Sequence, residues 1–143
     1  MQAKISTRYF TERDIEMIVD TSIFIAFYDE NDPKHPKAVE IMREADISGA
    51  FISDYIINEA AAVALRKFGL PKAKEITTAL MNSRKLIVGY TSQEDFKDVI
   101  EIFKDQTDHL SFVDCHIIWM AKTMNMEVAS FDKNLLAEIK ANE

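Results

Sequence analysis

The chain has 143 residues, 24 acidic against 17 basic for a net charge of −7, and 48% hydrophobic residues. That length buries a core in one domain, and the small share of Gly and Pro, three of each, excludes fibrous and disordered classes. The negative balance excludes a nucleic-acid binder that works through a basic surface, and a single cysteine, Cys115, excludes a disulfide framework and fits a reducing cytoplasm.

The first sixteen residues carry three bases and three acids with no clean period. They read either as an ordered extension packed on the domain or as an upstream start preceding it, and the domain proper is expected over 17–143. Their scattered charges leave no apolar segment of a secretory signal. From Met17, MIVD reads as a buried strand and TSIFIAFYD as a short helix. Asn31 or Asp32 is the expected N-cap of a second helix, with Pro33 at its first position and its end near Ala45. AFIS is a second strand, and Ser53 or Asp54 caps the helix YIINEAAAVALRKF, which stops at Gly69. Leu70-Pro71 opens another helix, KLIVGY is a third strand, and Thr91-Ser92 ahead of Glu94 and Asp95 marks a further helix start. After the polar DQTDH come the helix SFVDCHIIWMAKTMN, the strand EVASFD and a final helical turn or two in KNLLAEIK. The apolar runs are broken by Asp or Glu well short of the ~20 residues of a membrane span, so no transmembrane helix is expected. Strands alternating with helices predict an α/β fold, a three-layer sandwich around a central parallel sheet of four to five strands.

Four acids in this pattern point to one pocket. Asp20 ends the first predicted strand and Asp132 the last, and in parallel sheets the ligand crevice lies beyond the carboxyl ends of the strands. Glu59 has Tyr55 and Ile56 one turn before it and Ala62 and Val63 one turn after; Asp114 lies likewise between Leu110 and Ile117 and Ile118. Both therefore fall on apolar helix faces, where an ionised carboxylate needs a compensating partner. No base lies one turn away on either helix, so a cation shared with Asp20 and Asp132 is expected. Oxygen ligands without His or Cys at ligand spacing select Mg²⁺ or Mn²⁺ over zinc. Carboxylates around one or two such ions, about 4 Å apart when there are two, suit hydrolysis of a phosphodiester. Taken singly, each acid has a plainer reading: Asp20 a strand-end cap, Glu59 a surface residue, Asp114 a first-turn acid favoured by the helix dipole, Asp132 the N-cap of the last helix.

The segments MIVDTSIFIAFYDENDPKHPKA, FISDYIINEAAAVALRKFG, LSFVDCHIIWMAK and VASFDKN resemble, in order, those of PIN-domain nucleases, particularly VapC-type toxins of prokaryotic toxin–antitoxin pairs. The resemblance implies a PIN-like fold and a metal-dependent endoribonuclease using Asp20, Glu59, Asp114 and Asp132. It also implies a homodimer restrained by a small antitoxin. Thr21, Ser22 and Ser111 match hydroxyl positions beside the metal or phosphate in such proteins. Two departures stand out: the family usually ends with a strand after the last aspartate, and its members typically begin almost directly with the first strand.

Of the cations available to RNA, Arg66, two turns beyond Glu59, and Lys133, beside Asp132, are expected nearest the cleft rim. His35 reads as a first-turn packing residue, His116 as pointing off the Asp114 face, and His109 as the histidine nearer phosphate. Cys115 lacks a base to activate it, and Trp119 and Met120 read as core or interface. The leading function is a toxin ribonuclease; the alternatives are a PIN-domain RNA-processing nuclease outside any toxin system, or a degenerate domain that only binds RNA or protein. A haloacid-dehalogenase-type phosphatase is disfavoured by Ser22, which stands where that chemistry wants a second aspartate. A receiver-like phosphoacceptor is disfavoured because KLIVGY ends without one.

Overall fold

The computed structural model describes residues 6–7 and 17–142. The chain runs β1 (Ser6–Thr7), β2 (Met17–Val19), α1 (Thr21–Tyr28), α2 (His35–Ser48), β3 (Ala50–Ser53) and α3 (Asp54–Phe68). It continues through α4 (Leu70–Asn82), β4 (Leu86–Tyr90), α5 (Gln93–Asp105), α6 (Phe112–Met124), β5 (Glu127–Ala129) and α7 (Lys133–Ala141). The sheet order is β1-β4-β3-β2-β5. Four strands are parallel, as the alternation of strands and helices predicts, and β1 adds an antiparallel edge through Ser6 opposite Tyr90 and Thr7 opposite Gly89. The fifth strand thus comes from the chain's beginning, while α7 follows β5. Apart from Ser6–Thr7, the reading of the first sixteen residues as an extension lies outside the described residues.

β3 is buried along its whole length, and Ile18 and Val19 of β2 beside it are fully enclosed, so this pair forms the floor of the core. Such near-continuous apolar runs suit strands covered on both faces. The helices fall into two packed groups, α1 to α4 and α5 to α7, with a narrower contact between α3 and α6. The topology accounts for this division. The chain steps outward from β2 to β3 to β4, then returns past them to place β5 on the free side of β2. Right-handed crossovers running in opposite directions along a sheet lay their helices on opposite faces. The reversal therefore falls between β2 and β5.

Two regions differ from the sequence expectation, the start of α2 and the passage from β5 to α7. The second helix begins at His35 with Lys34 as N-cap and Pro36 in its first turn, not at Pro33. The residues before it are held in turns instead: Asp29 accepts from the Asn31 N–H, and Asp32 accepts from the Lys34 N–H at 2.8 Å. Asx side chains compete with the helix for backbone donors in this way. The last strand stops at Ala129, so Asp132 stands on the loop beyond it and caps α7, and that helix is longer than a turn or two. Of the two caps expected for α3, Ser53 is the one used, accepting from the Ile56 N–H.

Candidate metal centre

Each acid is placed by a different local device. Asp20 follows β2 directly, and its N–H extends the β2–β5 ladder to the Ala129 carbonyl at 3.0 Å. It occupies the N-cap position of α1 but caps nothing with its side chain. Its Oδ2 instead accepts from the Ser22 hydroxyl at 2.9 Å and the Ser130 hydroxyl at 2.7 Å, and the residue is only 5% exposed. Asp132 is exposed, and its Oδ1 accepts from the backbone N–H groups of Asn134 and Leu135. Asp114 stands at the third position of α6 in a capping box: its N–H donates to Ser111 Oγ, and its Oδ2 accepts from the Ser111 N–H at 3.2 Å. Part of the partner expected for Asp114 is thus supplied by the helix start itself. Glu59 lies in the second turn of α3, half-buried, one turn beyond Ile56, whose carbonyl accepts from the Thr21 hydroxyl at 3.5 Å.

The electrostatics link all four. Glu59 is pushed up from the usual carboxylate range first by burial, against the nearby Thr21 hydroxyl, and then by the charges of Asp20 and Asp114, with Arg66 opposing. Asp114 is also pushed up by burial, against the Ser111 backbone N–H bonded to its Oδ2 and the Ser111 hydroxyl beside it, and then by Asp132 and Asp20. Asp20 therefore acts on both helix acids, and Asp132 on Asp114. Like charges within mutual range at the reversal point of a parallel sheet are costly unless a cation joins them.

Among the described residues, hydrogen bonds tether one oxygen of each aspartate: Oδ2 of Asp20, Oδ2 of Asp114 and Oδ1 of Asp132. The second oxygen of each takes none there. Also among the described residues, no three His, Cys, Asp or Glu side chains close into a ready-made metal cage. An open set of hard oxygens is what Mg²⁺ accepts, since it retains several waters and takes only one or two protein carboxylates together with substrate phosphate. In donor chemistry, all oxygen with no His or Cys, the four acids suit such an ion better than zinc.

Of the other residues singled out in the sequence, Thr21 is buried and links α1 to α3 by donating to the Ile56 carbonyl. Ser22 holds Asp20, Ser111 holds Asp114, and Arg66 faces Glu59 closely enough to oppose its shift. Lys133 is exposed at the start of α7 and forms no salt bridge among the described residues. One contributor escaped the sequence: Ser130 binds Asp20 from 110 residues away. Lys34, one of the cations the sequence offers to RNA, stands with its ammonium 5.0 Å over the Phe131 ring, on the loop that carries Asp132. The spacing Ser-x-Asp in Ser130-Phe131-Asp132 was the available signal.

His35 opens α2 and bonds the Ala26 carbonyl through Nδ1 at 2.8 Å, a packing role. His109 is exposed with φ of 59° in the loop before α6. His116 is fully buried, bonded through Nε2 to Ser53 Oγ at 2.8 Å and stacked on Tyr55. Burial lowers its pKa to about 4 against the charge of Asp54, so it is a neutral core residue. The Cys115 thiol is buried and pushed up by burial and by Asp114, away from nucleophilic use. Trp119 and Met120 are core.

The fold and the family can be compared with known proteins on this basis. The chain superposes on VapC20 of Mycobacterium tuberculosis, a sarcin–ricin-loop-cleaving toxin, with a TM-score of 0.78 and 19% identity, covering 85% of this chain and 94% of that one. It superposes on FitAcB of Neisseria gonorrhoeae with a TM-score of 0.60 and 13% identity, covering 87% and 93%. No curated protein matches it in sequence. The model of the PIN domain matches residues 17–141, nearly the whole described chain, and the protein belongs to the PIN domain family.

Proposed function

We propose that the protein is a Mg²⁺- or Mn²⁺-dependent endoribonuclease, the toxin of a toxin–antitoxin pair, with Asp20, Glu59, Asp114 and Asp132 holding the cation. The observation that carries this reading is the gathering of these carboxylates where the strand order reverses, with Asp20 buried and tethered by Ser22 and Ser130 and with Ser130 also holding the Asp132 backbone. A divalent ion bound there supplies positive charge to the scissile phosphate and its attacking water. The residues supply the rest. Asp20 offers Oδ1 from a carboxylate whose other oxygen is fixed by two hydroxyls. Ser111 Oγ accepts from the Asp114 N–H, which leaves its own proton to donate to a phosphate oxygen. Arg66 near Glu59, with Lys34 and Lys133 on the Asp132 side, gives the rim the cations that phosphate contact needs.

The rest of the reading follows the family. The protein acts in a reducing cytoplasm as a homodimer restrained by a small antitoxin, with residues 1–16 as an extension before the nuclease domain. Among the described residues no helix is long and apolar enough to cross a membrane. Since VapC20 cleaves the sarcin–ricin loop, that hairpin belongs in the substrate panel beside unstructured RNA. Cleavage is expected with Mg²⁺ or Mn²⁺, to vanish with EDTA, and to be lost in Asp20→Asn while the variant stays folded. Undiminished cleavage by pure Asp20→Asn sinks the site assignment. The open arrangement of the acids favours one second reading, a degenerate PIN domain that only binds RNA or protein. Calorimetry showing no Mn²⁺ uptake by the wild-type protein selects it.

A further inference from the structure

Ser22 and Ser130 lie 108 positions apart in sequence, and their hydroxyl oxygens are 3.4 Å apart in the fold. Both donate to the same atom, Asp20 Oδ2, at 2.9 and 2.7 Å. A hydroxyl has one proton to give and lone pairs with which to receive. With their protons committed to Asp20, both serines receive a backbone N–H from the loop after β5: Phe131 donates to Ser22 Oγ and Asp132 donates to Ser130 Oγ, each at 3.0 Å. The arrangement is a double clamp whose two halves have the same direction.

We propose that Ser130 is a positioning residue of the carboxylate site, setting through one hydroxyl both the rotation of the Asp20 carboxylate and the backbone position of Asp132. The inference rests on the metal reading of that site for its consequence, though not for its geometry. Saturating Oδ2 leaves Oδ1 as the one oxygen of Asp20 open to a cation. Holding the Asp132 N–H keeps the loop against β2, where the Asp132 side chain stands within electrostatic range of Asp114. Groups that orient ligands in this way are typically worth about 10–100-fold in metal affinity.

The test compares wild type, Ser130→Ala and Ser130→Thr in two measurements: Mn²⁺ affinity by calorimetry, and amide hydrogen exchange at Phe131 and Asp132 in metal-free protein. Ser130→Ala is expected to weaken Mn²⁺ binding about 10–100-fold and to speed exchange of the Asp132 amide roughly 5-fold or more. Ser130→Thr, which keeps the hydroxyl, is expected to restore both. A role confined to stapling the loop lowers the melting temperature of Ser130→Ala but leaves Mn²⁺ affinity at the wild-type value, and that result overturns the proposal. Unchanged Asp132 exchange in Ser130→Ala overturns it as well. If wild type itself takes up no Mn²⁺, the metal reading fails alone. Exchange then decides: acceleration in Ser130→Ala that Ser130→Thr reverses supports the clamp, and no acceleration removes it.

Discussion

Helices α5 and α6 begin with the same four-residue device and put it to different uses. In Ser92–Asp95 and in Ser111–Asp114, the serine hydroxyl accepts from the aspartate N–H and the carboxylate accepts from the serine N–H. The bond lengths are nearly equal, 3.1 and 3.3 Å in one box and 3.1 and 3.2 Å in the other. Asp95 is nonetheless 1% exposed, enclosed by the protein, whereas Asp114 is half-buried and feels Asp132 and Asp20. The capping box explains where each carboxylate stands. What each can do is decided by its neighbours, and only α6 starts at the reversal of strand order beside β2 and β5.

The sharpest way to break this comparison is to neutralise the two aspartates in turn. Asparagine keeps an acceptor oxygen for the serine N–H, so both caps survive the change. Asp114→Asn is expected to lower Mn²⁺-dependent RNA cleavage by at least about 100-fold, the upper scale seen even for residues that only support metal ligands. Asp95→Asn is expected to cleave like wild type. Initial rates on a single RNA at saturating Mn²⁺ decide it, and equal losses in the two variants remove the distinction between the boxes.

Stability measured without metal should invert that ranking. Asp95→Ala loses a cap inside a covered site and is expected to cost about 1–2 kcal/mol in urea unfolding with EDTA present. Asp114→Ala loses the same cap, but it also relieves the repulsion from Asp20, Asp132 and Glu59. Its net cost is therefore expected to be clearly smaller than that of Asp95→Ala, or even of opposite sign, as is common where a site trades stability for activity. A metal-free Asp114→Ala that unfolds as readily as Asp95→Ala means the carboxylates do not strain the apo fold.

What the sequence revealed follows the range of the interaction concerned. The order of strands and helices was legible because each is set by local periodicity and caps: Ser53, Gly69, Ser92 and Ser111 stand where their side chains or backbone end an element. The convergence of Asp20 with Asp132 was legible too, since the carboxyl ends of neighbouring parallel strands share a crevice. The start of α2 was misplaced because Asp29 and Asp32 hold the Asn31 and Lys34 N–H groups in turns, which leaves Pro33 outside the helix. Ser130 was missed for a different reason. The Ser-x-Asp spacing signals only its local bond to the Asp132 N–H, whereas its contact with Ser22 and Asp20 depends on the register between β2 and β5, which no local pattern reports. The antiparallel β1 was hidden likewise, since two residues pairing with the end of β4 carry no period of their own.

The finest difference between the boxes lies in their serines. Ser92→Ala and Ser111→Ala each remove a hydroxyl that accepts one helical N–H, and each is expected to cost about 1 kcal/mol in thermal or urea unfolding. At α5 the effect should end there. At α6 the alanine backbone N–H still donates to Asp114 Oδ2, so half of the tether survives and the carboxylate is loosened, not released. Cleavage by Ser111→Ala is therefore expected to fall roughly 5-fold, the scale of one lost hydrogen bond, with Mn²⁺ affinity falling in parallel. A fall in cleavage at unchanged Mn²⁺ affinity instead assigns the Ser111 hydroxyl to the phosphate, because the proton it keeps free of Asp114 is then the group that was lost. Ser92→Ala serves as the control, and any loss of cleavage it shows must be subtracted as the effect of a weakened helix start.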